Sequence, residues 1–453
     1  MRHHSPFGCV ALMAVALALA GSPEHVLAAV YNADPSNYRS YLALLQPGDT
    51  LNLSATAGTY IDGLPLNNLN GTATAPIIIQ GPASPRATFN ARSCCNTVSI
   101  VNSSHVEIHN LELNGKPSKK SIAVDAVKAE GTGQFAHHIT LENLYIHDHN
   151  SNQQIVGIST KCPAWNWVIR NNIIESTGTG IYLGDSDGTQ EFVNGIIEGN
   201  LVADTIGYNM QIKHQLVRNT SLGEPASGVT IIRNNVFSKA TNASKGPNAR
   251  PNVLVGHWPL SGDGANDHYL IYGNFFHQNG VGQALFQGEG NVALYDNLFY
   301  NSLGTGPVDG IAIQPHNDVP KDIRIFGNTV VARNIGISVT GGAAGYTEKV
   351  IGNAVFAVTP IAAADQADNI TAAYSQAGSY LNNPTAPLGS GLDLYPKVGT
   401  LKGAPIDTSS FTAFQDYNLD FNYKSQDFLF HGAYDGEGAN PGWVLQRARK
   451  PLP

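Results

Sequence analysis

The sequence predicts an all-β fold, a single-stranded right-handed parallel β-helix with a short capping helix at its N-terminal end. Three observations carry that expectation. An apolar strand ending in Asn recurs about every 30 residues, a second strand motif recurs once in the same intervals, and 47 glycines accompany a charged fraction of only 13%. Stacked short strands joined by tight turns need many glycines and few charges.

The first strand reads VEIHNLEL at 106–113, ITLENLYI at 139–146, WVIRNNII at 167–174 and GIIEGNLV at 195–202. It returns as TIIRNNVF at 230–237, LIYGNFFH at 270–277, ALYDNLFY at 293–300, RIFGNTVV at 324–331 and KVIGNAVF at 349–356. A unit this short cannot bury its own apolar face, so it must stack on its copies. The shared residues Asn110, Asn143, Asn172, Asn200, Asn235, Asn274, Asn297, Asn328 and Asn353 are expected to form one hydrogen-bonded column at a single corner.

A rod needs caps, because open strand edges invite pairing with other chains. Asp34 and Pro35 read as a helix start, followed by Tyr38, Tyr41, Leu42 and Leu45 at helical spacing and by Gln46-Pro47-Gly48 as a stop. After Phe356 the repeat fades. The resulting division is a signal peptide over 1–28, the parallel β-helix over 29–385, and a C-terminal tail or cap packed on the helix over 386–453. The signal peptide is read from Arg2, the apolar run Cys9 to Ala20 and the small residues up to Ala28 and Ala29. It predicts a secreted or periplasmic protein, and no later stretch approaches the roughly 20 apolar residues of a membrane span.

A net charge of -8 leaves no basic footprint for nucleic acid, though a local cationic groove on an acidic protein can still hold an acidic partner. A monomer is expected. Cys94, Cys95 and Cys162 survive processing. Cys95 and Cys162 lie about two coils apart, near 10 Å, beyond the roughly 7 Å that a disulfide spans, so no bond between them is expected.

The stretches LLQPGDTLNL, AGTY, GTATAPIIIQGP and SIVNSSHVEIHNLELNG resemble the start of secreted β-helix polysaccharide lyases of the alginate lyase and chondroitinase B type. The resemblance spreads over about 36–300. It implies β-elimination on a uronic-acid polymer, with a Lys as base and an Arg on the following coil as acid. Some members need calcium, so Ca2+ is a possible cofactor, and the residues themselves call for none.

The second strand motif supplies the functional face. It reads GISTK at 157–161, GIYLG at 180–184, NMQIK at 209–213, NVLVG at 252–256, ALFQG at 284–288, GIAIQ at 310–314 and GISVT at 336–340. Alternation points Ile158, Ile181, Met210, Val253, Leu285, Ile311 and Ile337 inward. One outward row is then Ser159, Tyr182, Gln211, Leu254, Phe286 and Ala312, and the next is Lys161, Gly184, Lys213, Gly256, Gly288 and Gln314. Lys213 stands between two glycines, which leaves room for a sugar ring. Just beyond run Asp185, His214, His257 and Glu289.

Elimination needs the substrate carboxylate neutralised, a base for the C5 proton and an acid for the departing O4. Lys213 in QIKHQ matches the lyase Lys in position, and burial together with His214 and Arg218 would lower its pKa. Where the family places its Arg this chain has Gly256 and His257, so His257 is the expected acid. Gln211, His214, Tyr182, Arg218, Phe286, Glu289 and Gln314 are the expected substrate-binding residues, with Tyr182 and Phe286 stacking on sugar faces.

His147-Asp148-His149 reads mainly as a turn, and the Asp185-to-Glu289 row could hold a divalent ion through oxygens. Asp185 and Asp187 in GDSDG suit a turn. The alternatives are a β-helix glycoside hydrolase, a C5-epimerase and a non-catalytic carbohydrate-binding protein. Asp185 and Glu289 lie about 14 Å apart, too far for a hydrolase pair, and no DPHD-type epimerase motif occurs.

Overall fold

A computed structural model describes Met1 and residues 28–131, 135–303, 308–342 and 345–453. The chain is a right-handed parallel β-helix. Each coil contributes a strand to three sheets in turn, one of fifteen strands and two of eleven, all but the last hairpin paired in parallel. The core inside the three sheets is mainly aliphatic, with Ile108, Leu141, Ile169, Ile197, Ile232, Ile271, Leu294 and Ile325 following one another up the first sheet. The segment read as a signal peptide lies almost wholly outside the described residues. Among the described residues no helix is long and apolar enough to cross a membrane.

The corner between the first and second sheets explains the recurrent Asn. Asn172, Asn200, Asn235, Asn274, Asn297, Asn328 and Asn353 are fully buried. Each Nδ2 donates to the Oδ1 of the next Asn at 2.9–3.0 Å, and Asn353 passes the chain on to Asn369. Asn110 and Asn143 do not belong to this column. They occupy the preceding position of the corner, where the backbone is left-handed, at φ 58° and 53°. Asn171, Gly199, Asn234, Gly273, Asp296, Gly327 and Gly352 hold that same conformation on later coils. Asn, Asp and Gly tolerate it best, so the corner draws Asn into two adjacent rows for two different reasons, and the expected nine-membered column is corrected to seven plus Asn369.

At the N-terminal end the helix spans Tyr38–Leu42 and starts after Asn37, whose side chain accepts from the Asp34 N–H rather than from the helix, with the Asp34 carboxylate closing the preceding turn onto Ser36. Tyr38, Leu42 and Leu45 are buried against the first coils. The strands stack as far as Ile370–Ala372. Beyond a two-stranded hairpin, Leu381–Asn383 with Asp393–Pro396, the chain runs back along the rod. Leu394, Tyr395, Phe421 and Tyr434 pack on Phe275, Leu298 and Val331 outside the second sheet. Phe411 stacks on Phe326 of the first sheet at 3.8 Å. The tail therefore covers outward faces of the first two sheets and leaves the polar face of the third sheet open.

Candidate functional site

The third sheet carries the second strand motif. Pairing fixes its inward row as Ile158, Ile181, Met210, Val253, Phe286, Ile311 and Ile337. Phe286, expected to stack on a sugar, is therefore a core residue with no exposed surface, and Gln287 takes its place outside. The physical reason is Gly288, which also turns inward. A Cβ there would lie 2.9 Å from Cε1 of the Phe286 ring, so the glycine leaves the space that the large side chain fills.

The corrected outward rows are Lys128, Ser159, Tyr182, Gln211, Leu254, Gln287 and Ala312, and beside them Glu130, Lys161, Gly184, Lys213, Gly256, Glu289 and Gln314. Two lysines flank Gly184 in the second row. A Cβ on Gly184 would reach within 3.3 Å of the Lys213 Cβ, so this glycine keeps the space between the lysines open. Lys161 is held firmly: its Nζ donates to the Gly184 carbonyl at 3.0 Å, lies 4.0 Å from Asp185 and sits 3.6 Å from the centre of the Tyr182 ring. Burial pushes its pKa down to about 8. Lys213 is half-buried, and desolvation lowers its pKa against the opposing pull of Asp185 and Glu289. Sequence reasoning placed Lys161 in the outward row but gave it no role.

Next to Lys213 lies a pair of imidazoles. The rings of His214 and His257 stack at 5.4 Å. Desolvation, then His257 and Lys213, lower the pKa of His214, and its Nδ1 is buried without a hydrogen-bond partner among the described residues. His257 is 5% exposed. Its Nδ1 lies 3.0 Å from the Trp258 carbonyl, which can only accept, so Nδ1 carries a proton and Nε2 is the nitrogen left for the groove.

The structure moves two further expected residues out of the groove. Arg218 is buried, paired with Asp267 and donating to the Pro225 carbonyl at 2.8 Å, because an arginine inside needs a charge and a carbonyl to replace water. It pins the loop after Gln215. Glu289 is 2% exposed and accepts from the backbone N–H groups of His316, Asn317 and Asp318 at 2.9–3.4 Å. It anchors that loop and presents no free carboxylate. Tyr182, Gln211, His214 and Gln314 do line the open face, with Gln211 only 5% exposed. Asp185 and Asp187 accept from Ser186 and Thr189 in the turn over which His214 lies.

The cluster His147-Asp148-His149 does not converge. His147 reaches outward to Glu112 at 3.1 Å, whereas His149 turns inward to the Val124 carbonyl at 2.9 Å. Cys162 is buried while Cys94 and Cys95 are exposed, with their sulfurs 3.3 Å apart.

No protein-family model matches the sequence, and no curated protein matches it significantly. Solved structures do resemble the fold. Pectate lyase Pel9A aligns over 90% of this chain and 96% of its own at 13% identity, with a TM-score of 0.50. An alginate lyase from Paenibacillus sp. str. FPU-7 aligns over 76% of this chain and 95% of its own at 17% identity and a TM-score of 0.46. The A-module of the mannuronan C-5 epimerase AlgE4 from Azotobacter vinelandii aligns over 75% and 91% at 16% identity and 0.43. At these identities the likeness is one of fold.

Proposed function

We propose that this chain is a polysaccharide lyase that cleaves a uronic-acid polymer by β-elimination on the outer face of the third sheet. The observation that carries the reading is the pair of half-buried lysines, Lys161 and Lys213, on either side of Gly184 on the outward face of the third sheet, which the tail leaves open. The Lys of the resembled lyases falls on Lys213, and a pectate lyase shares the fold.

The roles follow from the surroundings of each nitrogen. Lys161, fixed by the Gly184 carbonyl, faces the substrate carboxylate and neutralises it, which makes the C5 proton more acidic. The free amine of Lys213 takes that proton, the C5–H electron pair becomes the C4–C5 double bond, and the C4–O4 bond breaks. The ammonium formed on Lys213 returns a proton to O4, so the balance closes without the missing Arg and without His257. His214 and His257 form the wall of the groove beside it. The carboxylates along this face are each engaged, Glu289 with backbone, Asp185 with Lys161 and Ser186, Asp187 with Thr189 and Glu130 with Lys128, and this disfavours a hydrolase.

Incubation with a panel of uronic-acid polymers, followed by absorbance of the unsaturated product, tests the reading. A lyase gives the chromophore on at least one polymer. Chain shortening without it indicates a hydrolase, a change of uronate configuration an epimerase, and binding with neither a carbohydrate-binding protein.

A further inference from the structure

Three histidines meet outside the first sheet, away from the lysines. His105 lies in the strand Ser103–His109, and His137 and His138 lie in Ala136–Glu142 directly beside it. The His105 and His138 rings stack at 4.2 Å, and the His137 ring stands edge-on to both, at 5.8 and 5.0 Å. One nitrogen of each falls within 4.8 Å of the others, and among the described residues no other three His, Cys, Asp or Glu side chains come together so closely. From this geometry we infer a site for a divalent transition metal, zinc being the first choice, held by His105, His137 and His138.

The backbone argues that the imidazoles are there for a purpose. His105 and His138 are both left-handed, at φ 51° and 53°, and on the next two coils the same bulge is filled by Asn166 and Asn194 at 58° and 55°. Asn satisfies this conformation in the same corner, so nothing in the fold demands histidine at 105 and 138. The rings are half-buried, and His137 is clamped at 4.3 Å against Trp165.

The neighbouring amides stand where the outer partner of a ligating histidine would be. Asn166 Nδ2 donates to His138 Nε2 at 2.8 Å, and Asn194 Nδ2 donates to Asn166 Oδ1 at 2.5 Å. His138 thus holds its proton on Nδ1, aimed at His137 Nδ1 2.7 Å away. Metal binding through His138 Nδ1 requires the Asn166 and Asn194 amides to turn together, so that Asn166 Oδ1 accepts a proton moved to His138 Nε2, Asn166 Nδ2 donates to Asn194 Oδ1, and His138 Nδ1 is freed. The two Nδ1 atoms then part to the roughly 3.3 Å set by metal–nitrogen bonds of about 2.0–2.1 Å in tetrahedral geometry. Imidazole ligands favour Zn2+, Cu2+, Ni2+ or Co2+ over calcium. Three protein ligands leave a fourth position for water. Such a metal would link two coils near the N-terminal end of the rod.

The test uses the chain purified without a histidine tag and stripped of metal, titrated with Zn2+ by calorimetry and with Co2+ by visible absorption. One equivalent should bind, the cobalt form should show tetrahedral bands, and zinc should raise the thermal midpoint. His105→Asn and His138→Asn, which copy the residues of the next coils, should leave the metal-free midpoint nearly unchanged. Each should weaken binding by more than the roughly 10–100-fold that loss of an outer partner causes. His137→Gln provides the same readout should either Asn variant fail to fold. Absence of a stoichiometric site, or unchanged affinity in the His105→Asn/His138→Asn protein, overturns the inference.

Discussion

Lys161 lies 3.6 Å from the centre of the Tyr182 ring, one coil away, and donates one N–H to the Gly184 carbonyl. The aromatic face and the carbonyl hold the ammonium in place, and burial brings its pKa to about 8, so near neutral pH it is mostly charged and loses that charge in the mildly alkaline range.

Turnover should therefore fall as pH passes through about 8 and Lys161 loses its charge. Lys161→Arg keeps the charge at all these pH values and should remove the alkaline limb. Lys161→Met should raise KM by about 10-fold, the equivalent of one lost charge-assisted hydrogen bond. Initial rates between pH 5 and 10 on all three proteins check this, and an unshifted alkaline limb in the Arg variant removes Lys161 from the site.

Asn274 and Asn110 share a corner but should respond differently to substitution. Asn274→Ala removes a side chain that donates to the Ile232 and Tyr272 carbonyls and to Asn297, and accepts from Asn235. Several buried groups are stranded, and the loss should be at least about 3 kcal/mol. Asn110→Gly keeps a residue suited to φ 58° and should cost under about 1 kcal/mol. Denaturant unfolding of both variants distinguishes the two rows.

Gly288→Ala should destabilise by about 1–3 kcal/mol, as overpacking does, because the new methyl group would meet the Phe286 ring. Adding Phe286→Leu should recover part of that loss. A Gly288→Ala protein as stable as the parent would mean that Phe286 is not packed beneath it.

Lys239 gives a stability signal independent of activity. Its Nζ donates to the Arg250 carbonyl at 2.7 Å in a buried site that pushes its pKa down to about 7, whereas in the unfolded chain a lysine titrates near 10.4. Between those values the unfolded state holds the proton and the folded state does not, so this lysine makes stability rise with pH from about 7 to about 10 and fall as pH drops towards 7. Lys239→Met should flatten that slope. Melting curves of parent and variant across the window, compared as differences, report it.

Much of the fold was legible because its information is periodic. The apolar strands, their spacing and the corner Asn recur in the sequence, and stacking follows from them. Register was readable wherever apolar and polar residues alternate, as in NMQIK. It failed at ALFQG because Leu285 and Phe286 are both apolar, and only the room made by Gly288 decides which belongs to the inward row. The open face and Lys213 were readable from the same alternation. Contacts across long separations were not. Arg218 meets Asp267 forty-nine residues away, and Glu289 is claimed by the N–H groups of a loop whose path no local pattern dictates. The tautomer of His257 likewise depends on where the Trp258 carbonyl points.

The central claim is that Lys213 carries the proton in an elimination. It is tested most directly by the turnover of folded Lys213→Ala protein on whichever uronic-acid polymer the parent cleaves, followed by absorbance of the unsaturated product. An outward, half-buried side chain should be removable with little change in stability. Loss of the proton carrier should lower turnover by on the order of 100-fold or more, Lys213→Arg should not restore it, and His257→Ala should reduce it much less. Near-parental turnover by Lys213→Ala would contradict the account and shift the chemistry to the His214 and His257 pair.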